Sequence, residues 1–151
     1  MIKVREVEFD DLKPVFQLGH HLFRASAFPI LYRNWDEYEI LDRFMSDSQF
    51  CLLAEDENGE LAGFIIGSVI KKPKSSWTYG YINWMGVNEK FQGMGIGKKL
   101  YNSLIRRFKR NGANMLMADT SPKNMDALKF FRKRGFNKEE NHVYLFKNLK
   151  G

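Results

Sequence analysis

Apolar positions along the chain switch between a spacing of two residues and a spacing of three to four, which distinguishes a half-buried strand from an amphipathic helix. The first half shows this switch in the order strand, helix, helix, strand, strand, at residues 2–8, 11–25, 34–45, 49–55 and 61–71. Asp10 is a suitable N-cap for the first helix, and Asn34 with Glu37 three positions later resembles a capping box for the second. The turn-forming residues 57–60 predict that the two strands form an antiparallel hairpin.

The second half continues with elements of the same kinds. We predict a strand at about 78–87, a glycine-rich turn at 92–97, a helix that ends before Gly112, a strand at 115–119, a helix from Ser121-Pro122 to Gly135, and a final strand pair at Phe136 and Val143–Phe146. The strand–helix–strand order between residues 78 and 119 implies a parallel pair with a crossover, so the sheet is mixed. We therefore expect one α/β (α+β) domain over residues 1–151.

Composition places the chain among ordinary globular proteins. Its 151 residues, of which 44% are hydrophobic and 28% charged, suffice for one domain with a sizeable core and exclude extended disorder. The longest apolar stretch, residues 61–70, is about half of what a bilayer requires, so we expect no membrane span. The single Cys51 cannot form an internal disulfide, and the N-terminus lacks the apolar core of a signal peptide. Both features favour a cytoplasmic protein.

Positive charge is concentrated in the second half of the chain. The formal net charge is +6, and residues 95–138 contain 12 Lys and Arg residues but only two acidic ones, Asp119 and Asp126. An anionic partner fits this excess, either a nucleic-acid backbone or a phosphorylated small molecule. A solvated helical face that aids solubility explains the same charges, so charge alone selects none of these alternatives.

The segment Gln92–Gly97, with the sequence QGMGIG, lies between a predicted strand and an amphipathic helix. The first turn of a helix leaves backbone N–H groups unpaired and carries partial positive charge, and glycines let an anion approach these donors. A P-loop would need Gly at position 92 and Ser or Thr at position 99, where the chain has Gln92 and Lys99. A dinucleotide fingerprint fails as well, because Lys98 or Leu100 occupies the place of its last glycine. The pattern that remains is Q-x-x-G-x-G.

This pattern resembles the acyl-CoA motif of the GNAT superfamily of N-acetyltransferases. Downstream, Asn124, Ala127 and the run Phe130–Phe136 are similar to the family's N..A..FYEKxGF signature, and the order of predicted elements agrees with that fold over essentially the whole chain. The resemblance implies a mixed, mostly antiparallel sheet that is splayed between its central strands and flanked by about four helices. It also implies an acetyl-CoA-dependent N-acetyltransferase.

The resemblance assigns most of the cofactor site to the region around the glycine turn. Backbone amides of the turn would hold the CoA pyrophosphate, which places on the phosphates Gln92, Gly93, Met94, Gly95, Ile96, Gly97 and Lys98. The pantetheine arm would lie beside Met85, Gly86 and Val87, where Gly86 suits a bulge or a close backbone approach. A backbone N–H of Met85 or Val87 would polarise the thioester carbonyl, which gives Val87 a catalytic role.

The downstream motif supplies the remaining expected cofactor contacts, at Asn124, Ala127 and Phe131. Asn124 suits equally well a helix start that bonds its own backbone. Phe131 departs from the family pattern, since it replaces the tyrosine usually proposed to protonate the leaving thiolate. Phenylalanine cannot donate a proton, so water or a tyrosine such as Tyr101 or Tyr144 would have to substitute.

In this family an amine attacks the thioester directly. A lysine-type amine has a pKa of about 10.4 and is mostly protonated at neutral pH, so a base or a water chain is needed. Asp119, which ends the predicted strand after the crossover, is our candidate for the base, and the alternative is that it only closes the strand. Other members keep a glutamate on the preceding strand, where this chain has Tyr81 and Asn83.

The sequence leaves the acceptor open. A protein N-terminus, a lysine and a small amine all fit. Five aromatic residues either line an acceptor slot or belong to the core, namely Phe28, Tyr32, Trp35, Trp77 and Tyr79. An acyl-CoA sensor without efficient transfer is the alternative function. A nucleic-acid-binding module is less favoured, because aromatic residues do not interleave with the basic stretch. We expect no metal, since His20 and His21 lack a third ligand, and either a monomer or a homodimer.

Overall fold

The computed structural model describes residues 1–23 and 34–151. Two of the aromatic candidates, Phe28 and Tyr32, lie outside the described residues. The described chain divides into two compact units, Met1–Asp119 and Thr120–Gly151, so the single domain over residues 1–151 remains a prediction. No helix within the described ranges is long and apolar enough to cross a membrane.

The first unit is built on a five-stranded sheet. In chain order and in spatial order, the strands β1 to β5 are Lys3–Glu6, Cys51–Glu55, Leu61–Lys71, Thr78–Val87 and Met115–Ala118. The helices α1 to α4 are Leu12–Phe23, Glu37–Asp47, Ile96–Arg110 and Met125–Lys133, the last of which belongs to the second unit. β1 to β4 pair antiparallel, and β5 joins β4 in parallel. The predicted mixed, mostly antiparallel sheet with about four helices is confirmed.

Several boundaries in the first unit differ from the prediction, and two of these differences have a local cause. Residues Ser48–Phe50 form a short 3₁₀ turn, so β2 begins at Cys51. The N-cap of α2 is Asp36 and not Asn34, because the Asp36 carboxylate accepts the backbone N–H groups at the second and third helical positions, at 2.9 and 3.2 Å. The cap therefore lies two residues later than the sequence pattern suggested.

The second unit begins differently from the prediction as well. The N-cap of α4 is Asn124 and not Ser121, since the Asn124 side chain accepts the N–H of Ala127 at 3.1 Å. The Ser121 hydroxyl instead accepts the N–H of Lys123 at 3.1 Å, in the turn before the helix. Ser121-Pro122 thus forms a turn, and the helix starts at Met125.

The chain beyond α4 contains no strand, so the final strand pair predicted at Phe136 and Val143–Phe146 is wrong. Val143 exposes 75% of its surface, Leu145 89% and Phe146 74%. Apolar alternation specifies a strand where one face of the strand is buried, and these three side chains are not buried in a core.

α1 and α2 cover one face of the sheet. The core beneath them consists of Val7, Val15, Trp35, Ile40, Cys51, Leu53, Phe64, Ile66 and Trp84. Trp35 is 8% exposed and donates its indole N–H to the Phe16 carbonyl at 2.9 Å, so it is a core residue and not part of an acceptor slot. Burial raises the pKa of the Cys51 thiol to about 12, which keeps this thiol protonated at neutral pH.

α3 lies on the opposite face of the sheet, over a strip of three glycines. A Cβ on Gly80 of β4 would lie 2.4 Å from Cδ2 of Phe108, and a Cβ on Gly67 of β3 would lie 2.6 Å from Cζ of the same ring. A Cβ on Gly63 would lie 3.1 Å from the Ile96 side chain at the start of α3. The glycines therefore allow α3 to pack directly onto the backbone of the sheet.

Gly80→Ala should destabilise the protein by about 1–3 kcal/mol, because the new methyl group overlaps the Phe108 ring. A loss of stability would point to the overlap with Phe108, because Gly80 does not have a positive φ and alanine is otherwise more favourable than glycine inside a strand. Urea denaturation measures the free energy of unfolding. Adding Phe108→Leu should recover part of the loss, whereas a Gly80→Ala variant as stable as the wild type would contradict this packing.

Candidate functional site

The glycine turn lies between the end of β4 and the start of α3. Gly93 and Gly95 have φ angles of 81° and 74°, in the left-handed region that favours glycine. A Cβ on either residue would meet no atom within 4 Å, so glycine is needed there for backbone conformation and not for space. Because Gly95 is the N-cap of α3, no capping side chain of its own occupies the first donors of the helix.

The start of α3 provides donors for an anion. The N–H of Lys99 makes the first hydrogen bond of the helix, to the Gly95 carbonyl at 3.1 Å, so the N–H groups of Ile96, Gly97 and Lys98 precede the helical hydrogen bonds. The aligned peptide dipoles add partial positive charge at this end. Lys98 and Lys99 are exposed here, and neither forms an ion pair within the described part of the chain. A phosphate or diphosphate is the kind of group that fits this arrangement.

Two residues assigned to the phosphates are engaged within the turn itself. The N–H of Gln92 donates to the Glu89 carbonyl and the N–H of Met94 donates to the Phe91 carbonyl, both at 3.3 Å. The Met94 side chain is 53% exposed, whereas Ile96, at 1% exposure, anchors the turn in the core. The donors not used by the turn's own backbone are therefore those of Gly93 and of the residues from Gly95 to Lys98. The phosphate contacts assigned to residues 92–98 remain predictions.

β4 and β5 are paired over a short region only. Residues 79–82 of β4 pair with residues 115–118 of β5, and the pairing ends there. On the other side of β4, Asn83 is an extra residue opposite the Ile66–Gly67 step of β3, which makes a β-bulge. β4 therefore has a bulge next to the last residue that pairs with β5. Because β5 is the edge strand of the five, the splay between central strands remains a prediction.

Beyond the bulge, alternate N–H groups of β4 point away from β3. The N–H of Asn88 donates to the Ala62 carbonyl beside β3 at 2.8 Å. Because N–H groups alternate between the two sides of a strand, those of Val87 and Met85 point away from β3, to the side on which the pairing with β5 has ended. These are the two donors that the sequence analysis assigned to the thioester carbonyl.

Gly86 serves close packing and not the bulge. It pairs with Phe64 in the register of the neighbouring residues. A Cβ on Gly86 would lie 2.8 Å from Cδ1 of Leu22 and 3.0 Å from Cε1 of Phe64. The bulge is therefore not at Gly86, whose close neighbours are side chains of α1 and β3. Its contact with the pantetheine arm remains a prediction.

A hydrogen-bonded pair of titratable side chains lies where the strands separate. Tyr81 Oη donates to Asp119 Oδ1 at 2.5 Å, within the short range expected when a hydroxyl donates to a carboxylate. Asp119 directly follows β5 and Tyr81 is opposite Met117, so the parallel register brings the two together. On the adjacent strand Ser68 Oγ donates to Asn83 Oδ1 at 2.9 Å. Tyr81 was not predicted as a partner of Asp119, although it lies on the strand where the family resemblance places a glutamate.

The downstream motif lies in the second unit. The hydrogen bond from the N–H of Ala127 makes Asn124 a helix cap, which is the local role that the sequence left open. The Phe131 ring contacts the rings of Phe130 and Phe136, with centroids 5.4 and 5.1 Å apart. Within this unit Phe131 is thus a packing residue. Contacts of Asn124, Ala127 and Phe131 with the cofactor remain predictions.

The other tyrosines and the histidines named from the sequence have these positions. Tyr101 is 7% exposed on the buried side of α3, and Tyr144 belongs to the second unit, where its ring centroid is 5.1 Å from that of His142. His20 and His21 are exposed on α1. Across residues 1–23 and 34–151, no group of three or more His, Cys, Asp or Glu side chains could hold a metal ion.

Comparison with protein families gives one match, to a model described as the acetyltransferase (GNAT) family, over residues 16–136. This range includes the glycine turn, the Tyr81–Asp119 pair and α4. The comparison with curated proteins found no match.

Solved structures with the same fold include three acetyltransferases. Aminoglycoside acetyltransferase meta-AAC0020, from an uncultured soil metagenomic sample, is 24% identical with a TM-score of 0.73, and the match covers 99% of this chain and 97% of that chain. Naa50 of Arabidopsis thaliana is 25% identical with a TM-score of 0.69, covering 92% and 85%. Glucosamine-6-phosphate N-acetyltransferase of Arabidopsis thaliana is 20% identical with a TM-score of 0.73, covering 98% and 99%. These likenesses show that the fold is shared over nearly the whole chain.

Gly95→Glu should abolish binding of coenzyme A, because the new carboxylate would stand where a diphosphate meets the donors of α3. We expect the dissociation constant to rise at least about 100-fold in isothermal titration calorimetry. Gly112→Glu is the matched control, since Gly112 follows the other end of α3, has a φ of 83° and leaves its Cβ position open. Its affinity should stay within about threefold of the wild type. Equal affinities of the two variants would show that the glycine turn is not part of the coenzyme A site.

Proposed function

Because the chain belongs to the GNAT acetyltransferase family and is an acetyl-CoA-dependent N-acyltransferase, we propose that it transfers the acetyl group to a primary amine by direct attack, with both substrates bound together. The observation that best supports this proposal is the Tyr81–Asp119 hydrogen bond at the point where β4 and β5 separate. The carboxylate and the outward N–H groups of β4 are both on the side of β4 that faces β5, beyond the last residue pair of the two strands. This is the arrangement that an amine and a thioester would need.

The residues present fit a CoA thioester. The start of α3, from Ile96 to Lys98, has the backbone donors and the positive potential that a diphosphate requires. The side of β4 that faces away from β3 offers the N–H groups of Met85 and Val87, to which an extended pantetheine arm can bond as a neighbouring strand does. When bound, acetyl-CoA supplies an acetyl group that is activated as a thioester.

Val87 has the catalytic role of an oxyanion donor in this proposal, with Met85 beside it. Its N–H would bond the acetyl carbonyl oxygen, on which negative charge develops as the amine nitrogen attacks the carbonyl carbon. A preorganised donor of this kind contributes about 10²- to 10³-fold to the rate. Because the donor belongs to the backbone, its direction is set by the strand and not by a side-chain rotamer.

Asp119 is the proposed base. A lysine-type amine has a pKa of about 10.4 and an α-amine one of about 8, so either acceptor is mostly protonated at neutral pH. The carboxylate would accept that proton directly or through one water molecule. Tyr81 is a positioning residue, since its hydroxyl donates to Oδ1 and fixes the orientation of the carboxylate.

Water is the proposed proton source for the leaving thiolate. Phe131 occupies the position of the family tyrosine and has no proton to donate. A thiol with a pKa of about 8.5 is a moderate leaving group, so turnover does not require a protein acid. Without a protein acid, the reaction lacks a rate enhancement that is typically about 10²- to 10⁴-fold.

For the acceptor we propose a primary amine on a protein N-terminus, a lysine or a small molecule. The similar structures include an enzyme in complex with sisomicin, one with a peptide-bearing bisubstrate analogue, and an enzyme named for an amino-sugar phosphate. These acceptors share an amine and little else. The proposal therefore extends to the amine and to no narrower class.

A panel of amines tests the proposed function. The purified protein is incubated with acetyl-CoA and, separately, with a lysine-containing peptide, a peptide with a free N-terminus, sisomicin and glucosamine 6-phosphate. We expect release of the CoA thiol above the rate of hydrolysis with at least one amine, and the matching acetylated product by mass spectrometry. Saturable CoA binding without release for any amine would instead favour an acyl-CoA sensor.

Asp119→Asn should lower kcat by about 10²- to 10⁴-fold without changing the dissociation constant of acetyl-CoA. The deficit should shrink as the pH rises towards the pKa of the amine, because a neutral amine needs no base. Tyr81→Phe, which keeps the ring, should cause a smaller loss of about tenfold. Asp126→Asn, at an exposed carboxylate of α4, is the control and should leave kcat unchanged. Identical pH profiles for the wild type and Asp119→Asn would exclude this carboxylate as the base.

A further inference from the structure

Strong positive charge is found where α3 ends, far from the glycine turn. We define the basic end as the exposed residues Lys71, Lys72, Lys74, Trp77, Lys109 and Arg110. α3 has 15 residues, so its two ends lie about 22 Å apart. The basic end is therefore distinct from the proposed diphosphate site.

Asn114 holds the two parts of the basic end together. Its Oδ1 accepts the N–H of Thr78 at 2.8 Å, its Nδ2 donates to the Ser76 carbonyl at 3.3 Å, and its own N–H donates to the Thr78 carbonyl at 2.9 Å. These bonds join the loop between β3 and β4 to the segment that follows α3. Asn114 is only four positions after Arg110, so their Cα atoms lie within about 14 Å of each other. The loop that carries the lysines therefore lies next to the segment that follows the cations of the helix end.

The cations of the basic end have no acidic partner among the described residues. Residues 71–78 and residues 106–115, which supply them, contain no Asp or Glu. Arg107 in the same helical turn differs, because its Nη1 donates to Glu6 Oε2 at 2.7 Å and to the Gln49 carbonyl at 3.1 Å. Arg107 therefore has a structural role. The other cations at this end have no such role in holding elements together.

Trp77 adds an exposed aromatic ring to this charge. It exposes 44% of its surface, whereas the buried Trp35 and Trp84 expose 8% and 7%. Its backbone N–H donates to Ser75 Oγ at 3.0 Å, which helps to hold it in the loop. An exposed ring in a loop that also carries exposed lysines is an arrangement on which an unpaired base can stack while the cations contact the phosphates.

We infer that the basic end binds single-stranded nucleic acid. A duplex would use the lysines for its phosphates, but its base faces are covered by stacking, so Trp77 would add little. An acidic protein surface would likewise use the charges without the ring. A strand with unpaired bases uses both. The inference does not depend on the proposed acetyl transfer, since the two surfaces lie at opposite ends of α3.

Fluorescence anisotropy with a fluorescein-labelled oligo(dT) of about 12 nucleotides tests this inference. We expect binding that weakens with salt, with a slope of about 0.7 per phosphate contact on a double-logarithmic plot, and that persists in saturating coenzyme A. Lys72→Glu with Lys74→Glu should weaken binding at least about tenfold and reduce the slope. Lys3→Glu with Lys13→Glu makes the same charge change at two exposed lysines elsewhere and should alter binding by less than about twofold.

Trp77 separates a nucleic-acid site from a merely anion-attracting surface. Trp77→Leu should weaken binding about tenfold with an unchanged salt slope, and Trp77→Phe should restore most of the affinity. Thermal unfolding followed by circular dichroism checks that each variant is folded. The inference is overturned if the Lys3 and Lys13 control weakens binding as much as the loop variant, or if Trp77→Leu has no effect. Competition by polyglutamate as effective as that by the oligonucleotide would also overturn it, in favour of an acidic protein surface.

Discussion

The lack of side chains along one strip of the sheet is the constraint on which the first unit depends. At Gly63, Gly67 and Gly80 the helix α3 contacts the backbone of the sheet, and a Cβ at any of these positions would overlap its neighbours. A helix packed this closely has little freedom to slide, because protein interiors are dense and side chains interdigitate. Its first N–H groups therefore have a fixed position relative to the end of β4. The same contact thus positions the donors for a diphosphate and the outward N–H of Val87.

The bulge at Asn83 determines what β4 presents on each face. In a regular strand Gly80, Ile82, Trp84 and Gly86 would all lie on one face. Instead Gly80 lies beneath α3, whereas Trp84 packs in the core beneath α1 and α2. One extra residue reverses the alternation, so that each half of β4 packs against a different layer. The reversal occurs next to the last residue pair of β4 and β5, so the outward N–H groups beyond it have no partner strand among the described residues.

The secondary-structure elements could be predicted from the sequence more accurately than the pairing register of the strands. β3 and β4 have the predicted bounds because turn residues delimit them on both sides. The bulge has no sequence signal, since helices cover both faces of the sheet and apolar residues then occur at adjacent positions. Asp119 could be identified as the end of β5, whereas its hydrogen bond with Tyr81 depends on the parallel register. The glycine turn could be recognised because the backbone at its two left-handed positions favours glycine whatever surrounds it.

The two ends of α3 attract anions for different physical reasons. At the N-terminus the donors are backbone groups, and the helix dipole adds to them. At the C-terminus the dipole is negative, so Lys109 and Arg110 would stabilise the helix end, each by about 0.3–1 kcal/mol, even without a ligand. That explanation does not extend to Lys72 and Lys74, which belong to a different element, or to the exposure of Trp77. The loop adds positive charge and an exposed ring that are not needed to stabilise the end of α3. This excess favours a binding surface.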